Sequence, residues 1–207
     1  MTTADHEVRV VQDGRFGWRQ VSDLQPGDFV VGRLGGTVRE GTCNLPPLEI
    51  DPYEKAEGQQ GIPLRTPEFV TEELAYLLGA WDGDGKVHPR GLSWTGNREE
   101  AAVKARLMAA FEDTFGHPLP EQESPSRPGS FDLLKWSQPL KRWFEQVAGS
   151  RAGEVPSAIL QSPRKQTAYL RGLFDTDGWV NKVGVVGIKM KAACEPFLRQ
   201  VQLMMQG

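Results

Sequence analysis

Two short stretches of the sequence close on the same acidic pattern. LLGAWDGDG at 77–85 and LRGLFDTDG at 170–178 both end in Asp-x-Asp-Gly. The agreement extends outward, because AYLLGAWDGDGKV (75–87) and AYLRGLFDTDGWV (168–180) share Ala-Tyr-Leu, the next glycine, the acidic pattern and a final Val, 93 residues apart. Each reads as an apolar helix with small residues on one side, Gly79, Ala80 and Gly83 in the first copy and Gly172 and Thr176 in the second. Small residues let two helix backbones approach closely, and Gly85 and Gly178 are expected to close the helices in the left-handed conformation. Packed side by side, the helices would bring Asp84 and Asp177 together, where two helix C-termini already concentrate partial negative charge. Folding gains nothing from that arrangement. A hard divalent cation does, since it takes carboxylate, carbonyl and water oxygens, and a shared pair of acids can hold metal for an in-line phosphoryl displacement.

Other chemistries fit these residues less well. A calcium loop also uses Asp-x-Asp-Gly but needs further oxygen ligands at set spacing, and Lys86, Val87 and His88 follow the first copy. A glycosidase uses paired acids but has no use for small-residue helix faces. Cys43 and Cys194 lie far apart without the spacing of a zinc site or disulfide framework, so both read as reduced thiols without a role. His88 and His117 read as surface groups, and Trp94, Trp136 and Trp143 as packing residues.

The acids need elements to position them. VRVVQDGRFGWRQVSDLQPGDFVV (8–31) alternates apolar and polar residues between turn signals at Asp13-Gly14 and Pro26-Gly27, which predicts a small antiparallel β module over residues 1–45. Residues 46–65 are rich in Pro, Gly and charge and read as a linker. From 66 onward the pattern becomes α+β. A helix capped by Thr71 runs to Gly85, a hairpin turns at Pro89 to Gly91, and Asn97 with Glu100 predicts a capping box for a helix over 98–115. SFDLLKWS reads as a strand, QPLKRWFEQVAG as a helix capped by Ser137, and VPSAIL as a helical turn. The order then restarts with Ser162 as cap, a helix through 163–178, a strand pair in WVNKVGVVGIKMK and a closing helix EPFLRQVQLMMQ. The first repeat therefore spans 66–160, and an incomplete second repeat spans 161–207.

Composition sets outer bounds. No apolar stretch approaches the ~20 residues of a membrane helix, and MTTADHEVRV lacks the pattern of an export leader, so the expected location is the cytoplasm. A net charge of −3 does not mark a nucleic-acid binder as a whole. The excess of acid lies in residues 1–65, however, and the stretch from Gly178 carries Lys182, Lys189, Lys191 and Arg199 against Glu195 alone.

The two acidic stretches resemble the paired dodecapeptide motifs of the LAGLIDADG homing endonucleases. That resemblance implies αββαββα halves forming a saddle of strands over double-stranded DNA with a long target site. It implies that Asp84 and Asp177 bind Mg²⁺ or Mn²⁺ and drive cleavage, helped by the backbone carbonyls of Gly83 and Thr176, with Asp82 and Asp175 as supporting acids. The strands after each motif would carry the DNA contacts. Alternation sets Ser93 and Thr95 on one face and Lys189 and Lys191 on one face, with Lys86, His88, Arg90 and Lys182 near the turns. Where the family has a lysine three residues before a proline, SRAGEVPSAIL has Gly153, and Arg151 is the expected substitute. Thr3-Ala4-Asp5-His6 and GWRQVSDLQPGDFV are similar to the Thr-x-x-His motif and following strands of the Hint splicing module of inteins, which implies activation of a splice-junction bond by Thr3 and His6. With no Cys or Ser before Thr3 and no terminal His-Asn, splicing by these residues alone is not expected, and the missing segments would come in cis or in trans.

Overall fold

The computed structural model describes residues 4–12, 15–31, 44–45, 65–122 and 129–206. Thr3, the Asp13-Gly14 turn, Cys43 and nearly all of the linker at 46–65 lie outside the described residues. The chain divides into two compact units, 1–37 with the last two residues, and Val38–Met205.

In the first unit the alternating residues form three antiparallel strands, β1 (Glu7–Gln12), β2 (Arg15–Gln20) and β3 (Phe29–Val30), ordered β2-β1-β3. The Pro26-Gly27 turn is held by Asp28, whose carboxylate accepts from the Gln25 N–H and from Arg19 Nη1, both at 2.8 Å. Gly27 sits at φ 102°, a conformation that favours glycine.

The second unit starts with α1 (Glu72–Asp84), capped by the Thr71 hydroxyl, which accepts from the Leu74 N–H at 3.1 Å. The chain passes directly into β4 (Gly85–His88) and returns through β5 (Gly91–Asn97). The next helix, α2, spans Ala101–Phe115 and not 98–115. Half of the predicted box is present, the Glu100 carboxylate accepting from the Asn97 N–H at 3.2 Å, but Asn97 Oδ1 accepts from the Glu99 N–H, at 3.1 Å, and not from Glu100. Asn97 is still paired with Ser130 in the sheet, so its side chain closes a turn ahead of the helix. Strands β6 (Glu121–Gln122) and β7 (Ser130–Trp136) complete an antiparallel sheet ordered β4-β5-β7-β6. Helix α3 (Gln138–Val147), capped by Ser137, buries Leu140, Trp143 and Phe144, a helical spacing that puts all three on one face.

One aromatic cluster fills the space behind this sheet. Trp81 of α1 meets Trp94 of β5 at 5.6 Å between ring centroids and Phe144 of α3 at 5.1 Å, and Phe115 of α2 meets Trp143 at 5.3 Å. Trp136 departs from its expected packing role, because it lies on the other face of β7, 47% exposed, with its ring 5.8 Å from that of His88.

The repeat follows after a 3-10 turn at Ile159–Gln161. Helix α4 (Pro163–Asp177), capped by Ser162, leads into β8 (Gly178–Val180), β9 (Val186–Ile188) and α5 (Glu195–Gln206). The first repeat therefore runs αββαββα, and the second αββα with a two-stranded sheet.

Candidate functional site

The two repeated helices pack directly on each other. A Cβ placed on Gly79 would collide with the Tyr169 carbonyl, and one placed on Gly172 with the Tyr76 carbonyl. A third on Gly83 would strike the Thr176 hydroxyl and stand 3.5 Å from the Asp177 Cβ. The backbones thus touch at equivalent positions, and the helices run together to their C-terminal ends.

Two reciprocal hydrogen bonds cross this contact. The Tyr169 hydroxyl of α4 donates to Asp82 Oδ2 of α1, and the Tyr76 hydroxyl of α1 donates to Asp175 Oδ2 of α4 at 3.0 Å. Tyrosine and aspartate occupy the same two places in both copies, so each repeat supplies the donor for the other's first acid. The tyrosines are the functional neighbours that sequence reasoning missed. Their signal was the shared Ala-Tyr-Leu, which reads equally well as core.

The second acid of each copy, Asp84 and Asp177, is half-buried at the last turn of its helix. Neither carboxylate accepts a hydrogen bond from any described residue, although Asp82 and Asp175 beside them are both paired. Burial pushes the Asp84 carboxyl above the usual carboxylate range, and the charge of Asp177 pushes it further, with Arg151 and Lys86 opposing. Burial raises Asp177 as well, again opposed by Arg151. The two acids are therefore close enough to repel, and Arg151 is the cation that both sense. Asp82 is fully buried, and burial pushes its carboxyl up to about 6 against the lowering effect of its bonds from Tyr169 and Ala152. The same burial, with the facing carboxylate, raises both tyrosine hydroxyls.

Gly85 and Gly178 correct one expectation. Both are extended, at φ −69° and −75°, because each helix continues straight into a strand. Glycine is required there by space, since a Cβ on Gly85 would enter the Trp81 ring and one on Gly178 the Phe174 carbonyl.

The basic residues fall into two sets. Arg151 joins the acids, its Nε donating to the Asp82 carbonyl at 3.1 Å and its Nη1 to the Gly85 carbonyl at 3.3 Å. Lys86 and Arg90 are exposed on the first hairpin. On the same sheet face Ser93 is buried, with its hydroxyl 2.7 Å from His88 Nε2, and Thr95 donates to Asp132 Oδ1 at 2.8 Å. Lys182 is exposed in the β8–β9 turn. Strand β9 ends at Ile188, but the alternation persists beyond it: Lys189 and Lys191 are exposed while Met190 packs against the core. Gly153, at the family's lysine position, closes a turn by donating its N–H to the Ser150 carbonyl at 2.9 Å. His6 is exposed in the first unit, ahead of β1.

The donor set suits a hard cation. No group of three or more His, Cys, Asp or Glu side chains capable of holding a metal occurs among the described residues. Two unpaired acids remain at the shared helix ends, where carbonyls such as those of Gly83 and Thr176 have no donor within the helix. Oxygen donors of this kind, completed by water, match Mg²⁺ better than a zinc-type ion.

A helix-strand-strand-helix repeat with acids at the ends of the two packed helices defines the class of protein to compare. The family model described as a LAGLIDADG-like domain matches residues 164–207, which take in α4 from its second residue, β8, β9 and α5. The similarity to a LAGLIDADG-like domain is to that stretch, and α1, β4, β5 and α2 follow the same order of elements.

Proposed function

We propose that this chain is an intein-encoded homing endonuclease that cuts both strands of double-stranded DNA at a long target site, using Mg²⁺ or Mn²⁺ held by Asp84 and Asp177 with the carbonyls of Gly83 and Thr176. The observation that carries this reading is the direct contact of two repeated helices that end in unpaired, mutually repelling carboxylates. The cation would supply Lewis-acid polarisation of the phosphate and of the attacking water. The chain's own groups do the rest. Asp84 and Asp177 orient oxygen donors around one point, Arg151 offers positive charge to a phosphate beside them, and the close helix contact fixes the distance between the acids. Lys86, Arg90, Lys182, Lys189 and Lys191 would meet backbone phosphates, and Ser93 and Thr95 would need to exchange their present partners to reach a base edge.

The first unit is consistent with part of a Hint-type splicing module, with Thr3 and His6 as its splice-junction pair and the remaining segments supplied in cis or in trans. The test of the main reading is cleavage of a plasmid carrying the uninterrupted insertion site, in Mg²⁺ or Mn²⁺, by the chain and by Asp84→Asn and Asp177→Asn. Linearisation that both substitutions abolish is expected. A second reading, a degenerate intein remnant that binds DNA or nothing and neither cuts nor splices, draws on Gly153 at the position of the family's lysine. Salt-sensitive gel shifts without a cut would select it.

A further inference from the structure

We propose that Asp82 is a positioning residue for Arg151, holding the turn at 150–152 through both its carboxylate and its carbonyl so that the guanidinium stays beside Asp84 and Asp177. This rests on the endonuclease reading for its consequence, though not for its geometry. Asp82 Oδ1 accepts the Ala152 N–H at 2.7 Å, while Oδ2 accepts the Tyr169 hydroxyl and the backbone carbonyl accepts Arg151 Nε at 3.1 Å. One residue therefore grips the turn twice and α4 once. The two bonds to its carboxylate are buried, so neither is easily exchanged for solvent, while the bond from Arg151, an exposed residue, is partly buried.

The turn pays a conformational penalty for this grip. Ala152 has φ 51°, the only non-glycine with positive φ among the described residues. The left-handed region disfavours a residue with a Cβ, and such strain persists where surrounding contacts over-determine it. The bond from the Ala152 N–H to a buried carboxylate is the contact that does so. It turns the preceding residue, Arg151, back over the end of α1, where its fork reaches the Asp82 and Gly85 carbonyls together. A lysine ammonium lacks that planar fork. Asp175, the counterpart in the second repeat, has Tyr76 as donor and a distant Arg171 at 3.9 Å, and grips no such turn among the described residues.

The test is a double-mutant cycle in cleavage of the target duplex, with Asp82→Ala, Arg151→Ala and the pair. Each single change is expected to lower kcat by roughly 100-fold with little change in KM, the scale seen when one preorganised charge-stabilising donor is lost. The pair should be no worse than Arg151→Ala, because both remove the same group from the site. Asp82→Asn keeps an acceptor for Ala152 and should recover most of the rate. Independently of DNA and metal, hydrogen exchange should find the Ala152 amide protected in the parent chain and in Asp82→Asn, and open in Asp82→Ala. If Asp82→Ala does not fold, Asp82→Leu combined with Tyr169→Phe, which fills the same buried space without an acceptor for the Ala152 N–H and leaves no hydroxyl unpaired, takes its place in the cycle with Arg151→Ala. Losses that multiply in the double variant, or an Ala152 amide that stays protected without the carboxylate, overturn the proposal. A parent chain that binds but never cuts defeats the endonuclease reading instead, and the exchange experiment still decides whether Asp82 holds the turn.

Discussion

Replacing Gly172 by alanine separates two physical accounts of α4, because they predict opposite signs. Helix propensity alone favours alanine over an interior glycine by about 1 kcal/mol. The contact with α1 opposes it, since the new methyl would meet the Tyr76 carbonyl and the Ala80 nitrogen, the latter at 2.9 Å. Both are backbone atoms of a packed helix and cannot rotate away. Overpacking at such a place costs about 1–3 kcal/mol, and the unyielding neighbours argue for the upper end, so the net loss is about 2 kcal/mol. For a unit of this size that lowers Tm by roughly 4–8 °C, readable by calorimetry. The acids give a second reading of the same event. Helices pushed apart at Gly172 must carry Asp84 away from Asp177, and a misplacement of about 1 Å can cost on the order of 100-fold in rate. A Gly172→Ala chain that melts higher than the parent and cuts DNA as fast would refute the close crossing and the assembly of the acids built on it.

Three further outcomes follow from the same geometry. Thr71→Ala removes the hydroxyl that caps α1 and should cost about 1 kcal/mol in chemical denaturation without altering the site, since the cap lies at the far end of the helix from Asp84. The Asp82 carboxyl, raised from 3.8 to about 6 in the fold, makes stability fully present below the unfolded value and lost as pH rises through the folded one. That loss is about 3 kcal/mol, so urea midpoints should fall between pH 4 and pH 7 and fall less in Asp82→Asn. Millimolar Mg²⁺ should raise Tm, by binding the folded state and relieving the repulsion between Asp84 and Asp177, and the Asp84→Asn, Asp177→Asn double variant should show no such rise.

Legibility in the sequence followed the range of each interaction. Thr71, Ser137 and Ser162 cap the helices expected of them because a cap is decided within four residues. The pair Asn97 and Glu100 misplaced a helix start because the same side chains also close a turn, and only the pairing of Asn97 with Ser130, across the sheet, decides between the two. Gly85 and Gly178 looked like left-handed caps, since sequence does not distinguish a glycine chosen for φ from one chosen for space. Tyr76 and Tyr169 stand in the repeated stretches, yet their bonds run between copies, and that requires knowing which helix faces which. Ala152 carried no signal at all, because alanine is compatible with nearly every local conformation except the one it adopts.

The features grouped at the ends of α1 and α4 each weaken folding. Asp82 is a buried acid, Asp84 and Asp177 are carboxylates whose proton affinity burial raises, that of Asp84 further through the charge of Asp177, and Ala152 is strained. Away from this place the second unit follows ordinary rules more closely, with caps on α1, α3 and α4, an aromatic core and paired strands, although, among the described residues, α2 lacks a side-chain cap and the buried indole N–H groups of Trp94 and Trp143 have no partner. Several broken rules gathered in one cluster mark that cluster as retained for another reason. The unfavourable terms share a direction, because all of them gather oxygen acceptors and one guanidinium around a point between two helix ends. A divalent cation is the ligand that would turn the repulsion between Asp84 and Asp177 into an attraction, so this cluster carries more weight than the net charge of the chain.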